Sequence, residues 1–208
     1  MQRRLFSQSL VSAAVLGSGL ANAQAQVFTP GKHYRVLKDP VLTDVPTGKI
    51  EVLEFFSYGC PHCFNFEPPM EKWKAEQKDD IVVRRVHVAF NARFVPLQQL
   101  YYSLEAMDLV EKLHYKFFQA WHTEKKRLGD ANSIADWVAS QGVDRAKFVA
   151  VYNSFGVAGK AKRAVQVQDA YQVEGTPAVT VAGRFYIPGQ GPRTLQVASQ
   201  LIDEVRKG

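Results

Sequence analysis

Residues 55–68 read "FFSYGCPHCFNFEP", and Cys60 and Cys63 within this stretch are the only cysteines among the 208 residues. Upstream, "IEVLEFFS" (50–57) is a short apolar run rich in branched and aromatic side chains, the pattern of a buried strand. Pro61 suits the first turn of a helix, where its missing N–H removes no bond. The segment continuing through "FNFEPPMEKWKAEQK" therefore reads as helix, with a kink expected at Pro68-Pro69. "IVVRRVHVAF" (81–90) is a second buried strand. The first unit is thus strand, CxxC, helix, strand: a βαβ pattern.

The chemistry of this arrangement follows from its position. A sulfur at the first turn of a helix faces backbone N–H groups without intrahelical partners. Those groups and the helix dipole favour the thiolate, so Cys60 is the expected reactive sulfur. His62 is placed to add a hydrogen bond or positive charge. Cys63, one turn deeper, is the expected resolving sulfur. Stabilising the reduced form makes the corresponding disulfide a stronger oxidant. Two other uses of the pair are weaker. Zinc needs four ligands, and no further cysteine exists; His33, His87, His114 and His122 are not at ligand spacing. A purely structural disulfide across so short a loop constrains little chain entropy.

The compartment is expected from residues 1–23, "MQRRLFSQSLVSAAVLGSGLANA". Arg3 and Arg4 precede an apolar stretch from Leu10 to Leu20, too short to span a bilayer, and Ala21-Asn22-Ala23 has the small-x-small form of a signal-peptidase site. Cleavage is expected after Ala23 or Ala25, leaving about 185 residues in an oxidising compartment. Formal net charge is +6, and +4 without Arg3 and Arg4. Acids and bases are interspersed, with no basic stripe and no glycine-rich phosphate loop, which argues against nucleic-acid binding.

Further along, "HYRVL" is a possible short edge strand. From Pro96 to His122, Leu97, Leu100, Leu104, Leu113, Phe117 and Trp121 lie mostly on one helical face. Tyr101, Phe117, Phe118 and Trp121 are expected to pack a small helical subdomain. "NSIADWVASQG" takes Ser133 as its candidate cap and stops at Gly142; the next helix takes Asp144. "PAVTVAG" and "RFYIPG" suggest an antiparallel hairpin turning at Gly183-Arg184. The final "TLQVASQLIDEVRKG" reads as an amphipathic helix capped by Thr194, burying Leu195, Ala198, Leu201 and Val205. The fold class is α/β: βαβ, a helical insert, then ββα.

"CPHC" after "VLEFFSYG", with "EGTPAVTVAG" far downstream and a signal-like start, resembles the DsbA family of thiol:disulfide oxidoreductases from about Tyr34 to the end. The resemblance implies a thioredoxin fold over residues 34–92 and 163–208, interrupted by an all-helical domain at 93–162. It implies a periplasmic dithiol oxidase that donates its Cys60–Cys63 disulfide to unfolded exported proteins with free cysteines. The redox-active disulfide would be its only redox group, with no metal and no other cofactor. A quinone-linked membrane partner similar to DsbB would reoxidise the protein, which is expected to be a monomer. Pro61 and His62 carry over as active-site residues. Pro177 matches the family's cis-proline beside the disulfide, a conformation that a fold must hold in place. Thr176 replaces the valine of the best-known members, adding a hydroxyl near the sulfurs. Glu54 matches a buried acid, where a raised pKa would let it relay a proton for Cys63. Arg85 aligns with a lysine near that acid, and as an arginine can only hold Glu54 ionised or act as a surface charge. Glu67 is similar to an acid near the active-site helix. The rival functions are a disulfide isomerase or reductase, for which about 25 residues before "IEVLEF" leave too little room for a dimerisation domain, and a peptide-binding chaperone.

Overall fold

The computed structural model describes residues 27–208, so the expected signal segment lies outside the described residues. Five strands form one sheet in the order β1-β5-β4-β2-β3. All seven residues of β2 (Ile50–Phe56) are buried, Glu51 and Glu54 among them, as befits a largely apolar strand covered on both faces. It pairs in parallel with β3 (Ile81–His87) through helix α1 (Pro61–Ala75), and antiparallel with β4 (Ala178–Val181). β4 pairs antiparallel with β5 (Phe185–Pro188), and the short β1 (Arg35–Val36) closes the far edge.

The register positions the site. Phe55 lies opposite Ala178 in the antiparallel β2–β4 pair. The chain leaving β2 toward Cys60 and the chain entering β4 from Pro177 therefore emerge side by side.

Side-chain alternation divides the interior. Val52 faces an apolar layer with Phe66, Met70 and Trp73 of α1 and Leu195, Ala198 and Leu201 of α7 (Arg193–Lys207). The Trp73 indole N–H donates to Ser199 Oγ at 2.9 Å, tying the two helices together. Leu53 and Phe55 face the opposite way, toward a second layer shared with five helices: α2 (Val95–Ala106), α3 (Val110–His122), α4 (Ala131–Ser140), α5 (Arg145–Tyr152) and α6 (Phe155–Ala170). Tyr101, Phe117 and Phe118 are buried in this second layer and Trp121 packs against it, so the aromatic stripe is packing. This is the expected thioredoxin-type α/β sheet with helices between β3 and β4.

Residue 162, the expected end of the helical insert, lies within α6, whose sequence buries only Val157 and Ala164 and so carries little apolar periodicity. Several local expectations need correction. Asp130, not Ser133, caps α4; Ser133 sits one turn in and completes a reciprocal capping box. Thr194 lies within α7, where its hydroxyl accepts the Gln190 N–H at 2.8 Å. The hairpin bends at Ala182-Gly183, both at positive φ, one residue before the expected position. Helix α1 runs on through Pro68 and Pro69. The long apolar stripe breaks between α2 and α3, with Asp108 at φ 56°. Among the described residues no helix is long and apolar enough to cross a membrane.

Candidate active site

Cys60 is the N-cap of α1 in extended backbone geometry (φ −93°, ψ 116°), and Pro61 is the first helical residue. Both cysteines are free thiols. Cys60 is half-buried, whereas Cys63 is only 1% exposed. The Thr176–Pro177 bond is cis, and the Thr176 carbonyl lies 3.3 Å from Cys60 Sγ.

This setting drives the two sulfurs apart. The Cys60 pKa is lowered to about 5. The largest cause is the hydrogen bond that the Cys63 thiol donates to the Cys60 sulfur; burial opposes it, and the Thr176 hydroxyl and the N–H groups of Cys63 and His62 add to it. Burial pushes the Cys63 thiol far up, and both its bond to Cys60 and the charge there push it the same way. Only one sulfur is ionised near neutrality, and it is the accessible one.

The helix start thus contributes as expected, but less than the partner thiol. His62 acts through its backbone: its side chain is exposed and makes no hydrogen bond among the described residues. Beside the sulfurs runs a groove of about 780 Å³ lined by His62, Phe66, Pro69, Thr176, Pro177 and Tyr186. Gly189 belongs to its wall, and a Cβ there would lie 2.4 Å from the Pro177 carbonyl.

Glu54 is buried as expected, at 1% exposure, but it is paired rather than alone. Its register neighbour is Arg85 on β3, so the two side chains share a face, with Arg85 Nε donating to Glu54 Oε2 at 3.0 Å. Arg85, 8% exposed, also bonds Glu67 at 2.7 Å and reaches Glu71. Arg85 is therefore no surface charge, and Glu67 is no solvated one: the latter lies one turn beyond Cys63 on α1 and is buried. Burial raises the pKa of Glu54 and of Glu67 to about 7, against the pull of Arg85. Three carboxylates share one guanidinium, and one cannot fully compensate three.

Sequence reasoning missed the histidines as site residues. Every polar group of Tyr58, two residues before Cys60, meets an imidazole. Its N–H donates to His87 Nε2 at 3.1 Å, its carbonyl accepts from His122 Nε2 at 2.8 Å, and its hydroxyl lies 2.8 Å from His114 Nδ1. His114 Nε2 is 3.2 Å from Glu67 Oε2, in ion-pair range but off the line of a hydrogen bond. Burial lowers His87 and His114 to about 3, so both are neutral at ordinary pH. Scattered in sequence, these rings carry no motif; only the fold collects them. Among the described residues no group of three or more His, Cys, Asp or Glu side chains is arranged to hold a metal ion.

Comparison with known proteins agrees with this geometry. Residues 51–200 match the family model of the DSBA-like thioredoxin domain. The chain is 44% identical to the thiol:disulfide interchange protein DsbA of Bordetella pertussis, over 100% of both sequences. It is 39% identical to that of Burkholderia cepacia, over 98% of each. The crystal structure of Pseudomonas aeruginosa DsbA superposes with a TM-score of 0.82 at 38% identity, covering 86% of this chain and 95% of that one. The chain belongs to the DsbA-like thioredoxin domain family and is a thiol:disulfide oxidoreductase.

Proposed function

We propose that the protein is an exported dithiol oxidase acting through a mixed disulfide at Cys60. The observation that carries this is the contrast between a half-buried, readily ionised Cys60 and a buried, protonated Cys63. A substrate thiolate attacks Cys60 Sγ of the oxidised pair; the Cys60–Cys63 bond breaks and Cys63 leaves with the electron pair and takes a proton. A second substrate thiolate then attacks the substrate sulfur held on Cys60. The new substrate disulfide departs, and Cys60 leaves as a stabilised anion, which makes it a good leaving group. Two electrons have passed from two substrate thiols to the enzyme.

The residues around the sulfurs have distinct parts in this reading. Pro61 starts the helix that presents the N–H groups, and the Thr176 hydroxyl and carbonyl border the reacting sulfur. Pro177 shapes the groove wall, whose backbone edge suits an extended substrate segment. In this reading Glu54 and Glu67, with pKa values of about 7, exchange protons as Cys63 gains and loses its own. The disulfide is the only redox group this route requires. Its substrates are unfolded exported proteins with free cysteines, its reoxidant is a quinone-linked membrane partner similar to DsbB, and its compartment is the periplasm.

The test is trapping. Presented with a substrate protein in its disulfide form, Cys63→Ser attacks it through the Cys60 thiolate, releases one substrate thiolate and accumulates the mixed disulfide on Cys60 that reductant releases, whereas Cys60→Ser accumulates none. Adducts on Cys63, or none in either variant, overturn the mechanism. The equilibrium with glutathione, read from trapped thiols, separates an oxidase from a reductase: a potential near that of thioredoxin sinks the oxidase reading.

A further inference from the structure

The turn from Ser57 to Cys60 has little backbone support of its own. Its own backbone bonds are both at Cys60: the N–H donates to the Ser57 carbonyl at 3.0 Å, and the carbonyl accepts from the Phe64 N–H at 3.2 Å. Tyr58 is held instead by three rings, one from β3 and two from α3. An amide N–H only donates and a carbonyl only accepts, which fixes two tautomers. His87 Nε2 is an acceptor. His122 Nε2 carries a proton and stays bonded to the Tyr58 carbonyl whether or not the ring is charged, so only Nδ1 titrates.

His122 differs from the other two rings in its exposure. His87 and His114 are fully buried, whereas His122 is half-buried, stacked on Phe64 with ring centroids 5.2 Å apart and planes 11° from parallel. We propose that His122, delivered by the last turn of α3, is a positioning residue for Cys60: it fixes the Tyr58 carbonyl and, when cationic, provides the counter-charge to the Cys60 anion of the reduced protein. This rests on the reading of Cys60 as the ionised sulfur. The charged or titratable groups facing His122 are Cys60, from the turn before α1, and Lys125, just beyond α3; Phe64 and Phe118 pack on it without charge. Burial lowers its pKa, Lys125 adds to that, and the Tyr58 carbonyl and the Cys60 anion raise it.

The oxidised protein has no anion at Cys60, so the proton affinity of His122 changes with redox state. When two glutathione thiols reduce the pair, the S–S bond breaks, oxidised glutathione forms, and two electrons and two protons arrive. One proton goes to Cys63. In the window above about 5, where Cys60 ionises, and below the His122 midpoint, which burial holds under the ordinary histidine value near 6.5, the other goes to His122 Nδ1 while Cys60 remains an anion. The inserted helices thereby favour the reduced form most under mildly acidic conditions.

The experiment is an NMR titration of the His122 ring in both redox states. The expected midpoint is higher in the dithiol than in the disulfide form by about 0.5–1 unit. Equal midpoints overturn the proposal. His122→Gln keeps an N–H for the Tyr58 carbonyl and removes the charge. By reciprocity, the Cys60 thiolate absorbance midpoint then moves up by the same amount, with the thermal midpoint of the oxidised form retained. His122→Leu removes both functions and lowers that thermal midpoint as well. With glutathione, the ratio of wild-type to His122→Gln equilibrium constants falls about three- to tenfold as pH rises through the window. An unchanged Cys60 midpoint in His122→Gln also overturns the proposal. None of these readouts involves a substrate protein, so a failure of the oxidase reading would leave them standing.

Discussion

Cys60 and Cys63 are three positions apart on one helix, yet their proton affinities move in opposite directions. The difference is local: one sulfur collects donors at the helix start, and the other keeps its proton and donates a hydrogen bond to the first. Thr176 adds its hydroxyl to both sulfurs. Thr176→Val keeps the carbonyl beside Cys60 and removes that donor, so the Cys60 midpoint should rise by about one unit. Absorbance of the thiolate against pH measures it, and an unmoved midpoint assigns the effect to the backbone alone. Arg85 makes a second case. The strand "IVVRRVHV" alternates, so Arg84 and Arg85 must face opposite sides, but nothing in the sequence says which faces in. The fold decides: Arg84 has a 41% exposed side chain and Arg85 an 8% exposed one. Arg85→Met leaves Glu54 and Glu67 without their cation. It should cost about 3–5 kcal/mol at pH 8 and clearly less at pH 5, where both carboxyls are protonated. Denaturant unfolding at the two pH values checks this, and an equal loss at both contradicts the buried-charge account.

The elements meet the active site through register and close approach. Gly189 follows β5 and packs against the Pro177 carbonyl, where a Cβ would stand 2.4 Å away. The obstacle is backbone, so it cannot swing aside. Gly189→Ala must displace the loop that carries Thr176, and the variant should both lose stability by about 1–3 kcal/mol and raise the Cys60 midpoint. A loss of stability with the midpoint unmoved would disconnect that loop from the sulfur. This coupling had no trace in the sequence, since a glycine after a strand reads only as a turn. Other elements were legible because their cause is local. The run "IEVLEFF" forecast a strand buried on both faces, Pro61 marked the start of α1, and Asp144 capped α5. Local chemistry failed where two residues fit one role. Asp130 and Ser133 are both good caps, and only the reciprocal pair of bonds shows which sits at the end. It failed also where a helix lacks an apolar face, as α6 does. The sulfur pair and the cis-proline match were visible, the latter through resemblance. The rings around Tyr58 come from β3 and two turns of α3, so nothing short of the tertiary fold brings them together.

At the scale of the whole molecule, these buried groups set how stability varies with pH. His87 and His114 are lowered to about 3, whereas unfolded histidines titrate near 6.5. The unfolded chain binds the extra protons, so their contribution is present above 6.5 and is lost as pH falls toward 3. Glu54 and Glu67 act oppositely. Their folded values of about 7 exceed the ordinary glutamate value of 4.5, so their contribution is present below 4.5 and is lost as pH rises toward 7. Between about 4.5 and 6.5 the two pairs offset one another, and the oxidised protein should show a plateau. Below 4.5 the carboxyl effect is spent and the histidines act alone, giving a fall of up to about 2–3 kcal/mol per pH unit. The reduced protein carries one further group. Cys60 has a folded value of about 5 against the ordinary thiol value of 9.0, so its contribution is absent at pH 5 and grows as pH rises toward 9. Half exposure means solvent screening shrinks the gain, but its sign is fixed. The dithiol form should therefore overtake the disulfide form progressively over that window. That growing difference is also a driving force for giving the disulfide away, because whatever stabilises the reduced fold strengthens the oxidant. Urea unfolding of both forms from pH 3.5 to 8.5 tests the scheme. A reduced-minus-oxidised difference that stays constant with pH would mean that the ionisation of Cys60 is not what links this fold to its chemistry.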